Sequence, residues 1–246
     1  IDRLAEGKTS ESNAIAEICS TFDLSGSVRP SLWKRISRRL GAVSRGFPAI
    51  VFLGPDGSGK STLTEPISRL QWPRVRCQFM GPSRESEMRT ILHSAMQFSD
   101  RLRRRYSKRH PVGIVSRATW QLICYIDFWD RLVRNLCFCG NGGILVCDRY
   151  PCDMYFRKPS WWNRFFFITM FPRPRFVFLC VGDSKAIHQR KPELSPLAIE
   201  QVIELYRKQL NRYGISYKEI NTTELSPDVL LSNVVQYLVE NHWLRN

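Results

Sequence analysis

The feature that most limits how this chain can fold is a glycine-rich turn between an apolar run and a helical pattern. The segment GPDGSGKST (residues 54–62) directly follows five apolar residues, AIVFL (49–53). Its closely spaced glycines let the backbone turn tightly and bring several N–H groups into one hollow. A strand before such a turn and a helix after it form one unit of a parallel sheet. The turn therefore predicts an α/β fold with an anion-binding hollow at the end of a strand.

The residues of this turn fit a phosphate-binding loop. Gly54, Gly59, Lys60 and Ser61 occupy every defined position of the pattern G-x-x-x-x-G-K-[ST]. In such a loop the backbone N–H groups and a helix N-terminus cradle phosphates, the lysine reaches the β- and γ-phosphates, and the hydroxyl ligates Mg²⁺. We therefore predict ATP, with GTP as the weaker alternative, and Mg²⁺ as cofactors. The predicted ATP-binding residues are Gly54, Asp56, Gly57, Ser58, Gly59, Lys60, Ser61 and Thr62.

Strand and helix patterns alternate along the rest of the chain. Strands are predicted at residues 49–53, 75–79, 144–147, 176–181 and 216–220. Helices are predicted at residues 61–70, 85–105, 118–137, 197–213 and 227–240. This order predicts a three-layer P-loop NTPase fold, with a five-stranded parallel sheet and helices on both faces. We assign the P-loop domain to residues 48–246 and a helical N-terminal extension to residues 1–47.

A second ligand for the metal is expected at the end of another strand. Residues 143–148, GILVCD, form a buried-strand pattern that ends in Asp148. In proteins with a phosphate-binding loop, a Walker B strand of this kind places its carboxylate beside the loop. Ser61 and Asp148 are therefore the predicted metal ligands.

Composition permits one folded domain with an extension. The chain has 246 residues, of which 43% are hydrophobic, so a full core can form. The longest apolar runs fall short of the roughly 18 residues that a membrane span needs, and the polar first residues do not form a signal peptide. Because the first residue is Ile rather than Met, we expect a fragment or a processed form. Eight cysteines without metal-type spacing favour reduced, buried thiols and predict a cytoplasmic protein.

The net charge of +15 favours anionic partners. The densest basic run, RLRRRYSKRH (101–110), is either a solvated segment or an anion contact, and both remain open. Residues 31–43 form a basic amphipathic pattern that packs on a neighbouring element or touches a membrane surface. The aromatic segment 161–171 is predicted to be the core side of a helix, with membrane contact as the alternative. Because the sequence has no separate nucleic-acid-binding motif, we predict that nucleic acid is not the partner.

Several motifs resemble those of thymidylate kinases, a branch of the nucleoside-monophosphate kinases. Residues 148–150, Asp-Arg-Tyr, resemble the family's motif of that sequence, and Asp56 stands where several members have a carboxylate facing the acceptor nucleoside. The segment RKPE (190–193) follows the fourth predicted strand, where the family has a mobile basic lid. The segments DRYPCD, FPRPRFVFL and QRKPELS are similar to those of a divergent bacterial group, the thymidylate kinase-like proteins often associated with surface-polysaccharide genes. The resemblance covers about residues 48–240.

The resemblance implies phosphoryl transfer from ATP, with Mg²⁺, to a small-molecule phosphate acceptor, either a nucleoside monophosphate such as dTMP or a similar phosphorylated small molecule, by a homodimer. In this assignment Arg149 holds the acceptor phosphate, since a planar guanidinium can bond two oxygens at once, and Asp56 orients an acceptor hydroxyl. The lid supplies a cation for the transition state. The implied catalytic residues are Lys60, Asp148, Arg149 and Arg190, with Lys191 as a second lid candidate. The implied substrate-binding residues are Asp56, Arg84, Arg149 and Tyr150.

Departures from the family pattern leave the acceptor open. The fourth strand contains Leu179-Cys180 where the family has Leu-Asp, with Asp183 following, and the segment after the Asp-Arg-Tyr motif is aromatic rather than small and polar. The alternatives are a sugar or sugar-phosphate kinase linked to surface glycan synthesis, a non-catalytic nucleotide-binding regulator, and a nucleic-acid end kinase or binder. A sugar acceptor would indicate the first, ATP binding without transfer the second, and salt-sensitive retention on nucleic acid the third.

Overall fold

Five parallel strands form the sheet at the centre of the computed structural model, which describes residues 47–69, 75–81, 90–107, 109–140, 143–157 and 160–241. The strands are β1 Phe47–Leu53, β2 Val75–Phe79, β3 Ile144–Asp148, β4 Pro174–Val181 and β5 Lys218–Asn221. Their spatial order is β2-β3-β1-β4-β5, and all neighbours run parallel. The predicted α/β fold with a five-stranded parallel sheet is therefore confirmed.

Helices connect the strands and cover both faces of the sheet. They are α1 Lys60–Arg69, α2 Thr90–Arg105, α3 Pro111–Gly140, α4 Cys152–Arg157, α5 Trp161–Arg164, α6 Ser184–Arg190, α7 Pro196–Arg212 and α8 Pro227–Glu240. A π-helical turn, Phe165–Thr169, continues α5. Because the strands are parallel, the segments that follow β1, β3, β4 and β5 meet at one edge of the sheet.

The apolar run of β1 is buried on both faces, as expected for a central parallel strand. Ala49, Val51 and Leu53 belong to one apolar cluster, together with residues of α2, α3, α4 and α7. Ile50 and Phe52 belong to the other cluster, together with residues of α1 and α8. Successive side chains of a strand point to opposite faces, so each side chain of the run has a core to enter. The glycine-rich turn is thus attached to a strand that is fixed from both sides.

The structure extends α3 beyond the predicted helix 118–137. The helix begins at Pro111 and ends at Gly140. Proline suits the first position of a helix, because the N–H that it lacks has no partner within the helix there. The predicted start of the preceding helix, at residue 85, lies outside the described residues, and α2 is described from Thr90.

Part of the basic run 101–110 forms the last turns of α2. There the guanidinium of Arg103 lies 4.7 Å from the centroid of the Trp120 ring on α3. Arg103 and Arg104 both pair with Asp100. These arginines thus make contacts within α2 and between α2 and α3.

The aromatic segment 161–171 is only partly buried. Phe167 and Phe171 belong to the core, as predicted. Trp161 and Trp162, by contrast, are 68% and 58% exposed, which corrects the prediction for these two residues. The reason is that α5 has a single turn and then widens into the π-helical turn, so only one side of this segment reaches the core.

The remaining sequence predictions concern thiols, membranes and the extension. Cys124, Cys139, Cys147, Cys152 and Cys180 are free and buried, and Cys77 is free and half-buried. In the described ranges, no helix has the length and apolar character needed to cross a membrane. The predicted extension, including the amphipathic pattern 31–43, lies outside the described residues, apart from Phe47, where β1 begins.

Candidate functional site

The predicted phosphate-binding loop connects β1 to α1 at the carboxyl edge of the sheet. Gly57 and Gly59 have φ values of 84° and 79°, a left-handed conformation that favours glycine. A Cβ atom on Gly57 would lie 3.0 Å from the carbonyl oxygen of Ile187 and 3.0 Å from Cβ of Lys191. Glycine is therefore favoured here both by the backbone angle and by the close approach of α6 and the residue after it.

Lys60 begins α1, and its side chain folds back under the loop. Its Nζ donates hydrogen bonds to the carbonyl oxygens of Gly54 (3.0 Å) and Pro55 (2.6 Å). Burial, and to a smaller extent the charge of Arg149, lowers the pKa of the Lys60 ammonium. The lysine thus places a buried positive group against the loop, where a phosphate held by the loop N–H groups would meet it.

One residue ties the loop to β5 and to the predicted lid. Thr222 directly follows β5, and its Oγ1 donates to the carbonyl oxygen of Ser58 over 2.9 Å. The carbonyl oxygen of Thr222 in turn accepts hydrogen bonds from both terminal nitrogens of Arg190, each over 3.3 Å. Movement of the loop, of Arg190 or of the end of β5 would therefore affect the other two.

The hydroxyl of Ser61 and the carboxylate of Asp148 meet beside the loop. Asp148 is the last residue of β3, where it pairs in register with Phe52 of β1. Ser61 Oγ donates to Asp148 Oδ2 over 3.3 Å. Burial raises the pKa of the Asp148 carboxyl, although the charges of Lys60 and Arg149 oppose this effect. The strand thus delivers a carboxylate to the first turn of α1 at a cost in desolvation.

This pair suits a magnesium ion. Asp148 Oδ1 is buried and has no hydrogen-bond partner among the described residues. A hydroxyl and a carboxylate with an unused oxygen are the kind of donor that Mg²⁺ takes when phosphates and water supply its other ligands. Within the described ranges, no group of three or more His, Cys, Asp or Glu side chains could hold a metal without such help.

Arg149 follows β3 in an unusual backbone conformation. Its φ is 69°, in the left-handed region that residues with a Cβ rarely occupy. Its backbone N–H donates to the carbonyl oxygen of Phe52 over 3.0 Å. Its Nη1 donates to Asp153 Oδ2 over 2.7 Å, and its Nη2 donates to Asp56. The guanidinium is therefore held between a carboxylate of α4 and a carboxylate of the loop.

The two carboxylates stabilise the charge of this arginine. Burial by itself would lower the pKa of the guanidinium, but Asp153 and then Asp56 outweigh burial and raise it. The other carboxylate oxygen of Asp153 accepts a hydrogen bond from the hydroxyl of Tyr206 on α7. A chain of hydrogen bonds thus leads from Asp56 through Arg149 and Asp153 to Tyr206.

These groups border one cleft of about 820 Å³. Its polar lining comes from the loop, from the ends of β3 and β5, and from the residues that begin the predicted lid. Its apolar lining comes from Phe79 at the end of β2, Met154 of α4, and Leu225, Pro227 and Leu230 near the start of α8. A cleft of this volume with mixed polar and apolar walls is typical of sites for small ligands and cofactors.

Most of the predicted site residues line this cleft. They include Asp56, Gly57, Gly59, Lys60, Ser61, Thr62, Asp148, Arg149, Arg190 and Lys191. Gly54 and Ser58 lie in the loop itself, where Ser58 is fully buried. The predicted substrate-binding residue Arg84 lies outside the described residues.

Tyr150 is placed differently from its predicted role in substrate binding. Only 2% of its surface is exposed, and its hydroxyl donates to the carbonyl oxygen of Pro172 over 2.7 Å. Its ring belongs to the core and is absent from the cleft lining. The left-handed turn at Arg149 places one residue at the cleft and the next in the core.

Sequence reasoning missed Asp153, Tyr206 and Thr222 as parts of the site. The four-residue spacing of Arg149 and Asp153 could have suggested an ion pair at the start of a helix. Thr222 could have been suspected because it follows a strand that ends at the same edge of the sheet. The resemblance extends to the helix that contains Tyr206, but only the packing of α7 brings the Tyr206 hydroxyl to Asp153.

Comparisons with known proteins leave the function to be argued from this geometry. No protein-family model matches the chain, and no curated protein gives a significant match. Among solved structures, the thymidylate kinase from Ehrlichia chaffeensis is similar, with 15% sequence identity and a TM-score of 0.44. The match covers 79% of this chain and 99% of that protein. A likeness this distant establishes neither activity nor substrate.

Proposed function

We propose that residues 48–246 form an ATP- and Mg²⁺-dependent kinase that transfers a phosphoryl group to a nucleoside monophosphate, such as dTMP, or to a similar phosphorylated small molecule. One observation carries the proposal. A glycine-rich loop with a buried lysine, a hydroxyl–carboxylate pair and an arginine held between two carboxylates all border a single cleft. These are the parts that phosphoryl transfer needs, because catalysis there consists mainly of alignment and charge stabilisation.

In the proposed mechanism the donor lies against the loop. The loop N–H groups and Lys60 hold the terminal phosphates of ATP, while Ser61 and Asp148 would hold the Mg²⁺ that neutralises charge on them. To reach a phosphate, Lys60 exchanges its hydrogen bonds with the carbonyl oxygens of Gly54 and Pro55 for phosphate oxygens.

The acceptor lies on the Arg149 side of the cleft. The guanidinium binds the acceptor phosphate, and Asp56 accepts a hydrogen bond from an acceptor hydroxyl. An acceptor oxygen forms a bond to the γ-phosphorus as the bond from that phosphorus to the bridging oxygen of ADP breaks. Arg190, which reaches the loop through Thr222, is the proposed cation for the charge on the transferred group, with Lys191 as second candidate.

The decisive experiment measures ADP release from ATP and Mg²⁺ against a panel of nucleoside monophosphates. Lys60→Ala should lower the rate about a hundredfold or more, because it removes a cation from the transferring phosphates. Lys208→Ala is the matched control, since this lysine lies on the exposed surface of α7, away from the cleft. Turnover that Lys60→Ala abolishes and Lys208→Ala preserves would support the proposal. ATP binding without transfer to any acceptor would contradict it and favour a nucleotide-binding regulator.

A second candidate, a kinase for a sugar or sugar phosphate, is favoured by the acidic character of the acceptor side. Asp56 and Asp153 both pair with Arg149, so part of its charge is already compensated, and carboxylates are good acceptors for sugar hydroxyls. The same assay with hexoses and hexose phosphates tests this candidate. Activity with these acceptors and none with nucleoside monophosphates would establish it over the first.

A further inference from the structure

We infer that Asp153 and Tyr206 are positioning residues that hold the Arg149 guanidinium toward the cleft, whereas Asp56 is a partner that an acceptor phosphate displaces. The inference rests on the proposed kinase function and specifies how its acceptor side works. No role was assigned to Asp153 or Tyr206 when that function was predicted from the sequence. Their role follows from burial and from the direction of the hydrogen bonds.

The two carboxylates that pair with Arg149 differ in their exposure to solvent. The side chain of Asp153 is 3% exposed, while that of Asp56 is 31% exposed. Separating the Asp153 pair would leave a charge in the interior, which is strongly unfavourable. Separating the Asp56 pair returns its carboxylate to water, which costs little. An incoming phosphate can therefore replace Asp56 on Nη2 of Arg149, but it cannot replace Asp153 on Nη1.

Hydrogen bonds from Arg149 and Tyr206 fix the orientation of the Asp153 carboxylate. One of its oxygens accepts from Arg149 and the other from the hydroxyl of Tyr206. Tyr206 is almost fully buried, and its ring packs edge-on against Phe156 at 5.8 Å between centroids. Because packing fixes the ring, the hydroxyl fixes the plane of the carboxylate, and that plane fixes the guanidinium fork.

The backbone of Arg149 adopts a strained conformation. A left-handed φ of 69° is unfavourable for an arginine and persists only where surrounding contacts outweigh it. The hydrogen bonds to Asp153 and to the Phe52 carbonyl oxygen supply such contacts. The backbone conformation of Arg149 and the Asp153–Tyr206 pair together therefore hold the Arg149 guanidinium in one orientation toward the cleft.

The test uses Tyr206→Phe in the full chain, with Tyr155→Phe as matched control. Tyr155 lies on α4, as Asp153 does, and its part-buried hydroxyl lies 2.8 Å from the hydroxyl of Tyr213. Each variant removes one hydroxyl between α4 and the α7 region and keeps the ring. Tyr206→Phe should raise the KM for the acceptor about tenfold and leave the KM for ATP unchanged. Tyr155→Phe should leave both KM values unchanged. Equal effects of the two variants, or no effect of Tyr206→Phe, would overturn the inference.

A second variant shows whether Tyr206 acts through Arg149. In an Arg149→Lys background the fork is gone, so adding Tyr206→Phe should raise the acceptor KM less than twofold further. A full additional tenfold increase would place the effect of Tyr206 elsewhere and overturn the inference.

A binding measurement separates this inference from the proposed function. Titration calorimetry with inorganic phosphate, in the presence of ADP and Mg²⁺, needs no turnover. If no acceptor is phosphorylated, the kinase proposal fails. The inference still stands in that case if phosphate binds and Tyr206→Phe, but not Tyr155→Phe, weakens the binding. Phosphate binding that neither variant changes, or no phosphate binding at all, overturns it.

Discussion

Arg149 and Arg131 are both buried arginines with an aspartate four residues away, yet they lie in regions with different tasks. Arg131 lies within α3, is 0% exposed, and pairs with Asp127 of the same helix. It also donates to the carbonyl oxygen of Phe79 over 2.8 Å, which fixes the end of β2. Arg149 lies at the cleft, with Asp153 behind it and the partly exposed Asp56 in front.

The difference lies in which partners can be exchanged. Among its described contacts, Arg131 pairs with the buried carboxylate of Asp127 and donates to the backbone carbonyl oxygen of Phe79. Arg149 has one partner, Asp56, that water can reach, so its guanidinium can exchange that carboxylate for an anionic ligand at little cost in free energy. A buried arginine that pairs with a buried carboxylate therefore stabilises the fold. A buried arginine that also pairs with a partly exposed carboxylate can exchange that carboxylate for a ligand.

The largest expected effect is a loss of stability on removing Arg131. Arg131→Met would leave Asp127 as an uncompensated charge in the interior, and Asp127 Oδ1 is already buried without a hydrogen-bond partner among the described residues. The free energy of unfolding should fall by about 3–5 kcal/mol. Denaturant unfolding followed by circular dichroism measures this. The double variant Asp127→Leu/Arg131→Met should regain most of the loss; a double variant as unstable as the single one would show that the charge is not the cause.

The variant Arg149→Lys tests the contrast between Arg149 and Arg131, because it keeps the positive charge and removes the planar guanidinium. We expect kcat/KM for the acceptor to fall about a hundredfold, because a lysine cannot bond two phosphate oxygens in a fixed plane. Stability should change far less than in Arg131→Met. Arg207→Lys is the matched control, since Arg207 makes a bidentate pair with Glu219 that is exposed and distant from the cleft. A similar loss in both lysine variants would argue against a special role of Arg149.

The smallest expected effect is a gain in stability on neutralising Asp148. Burial raises the pKa of this carboxyl, so the native protein holds the proton more tightly than the unfolded chain. The ionised form therefore destabilises the native state, and Asp148→Asn should raise the free energy of unfolding at neutral pH. Activity and Mg²⁺-dependent ATP binding should be lost.

The pH dependence of this gain follows from the sign of the shift. The stabilisation should be absent below the ordinary pKa of 3.8, where the carboxyl is protonated in both states. It should grow as the pH rises through the raised native pKa and then level off. Unfolding of both proteins between acidic and neutral pH measures it. A variant that is less stable than the parent at neutral pH would contradict the inference that the buried charge of Asp148 destabilises the native state.

The sequence predicted the parts of the site that depend on local patterns. A phosphate-binding loop is recognised by glycines, a lysine and a hydroxyl at fixed spacing. A continuous apolar run such as that of β1 indicates a strand buried on both faces of a sheet. Both patterns can be read without a structure. Asp148 was predicted for the same reason, as a carboxylate at the end of a buried strand. Trp161 and Trp162 were misjudged because apolar composition does not reveal which side of a short helix reaches the core.

By itself the sequence determined the five parallel strands and the glycine-rich turn after the first of them, and it predicted which residues of that turn could bind phosphate, because each depends on neighbours along the chain. Only the tertiary structure decided that Tyr206 reaches Asp153, that Thr222 ties the loop to Arg190, and that Tyr150 enters the core while Arg149 faces the cleft. These contacts join elements far apart in the chain. They depend on how whole helices and strands pack, and local spacing carries no record of that packing.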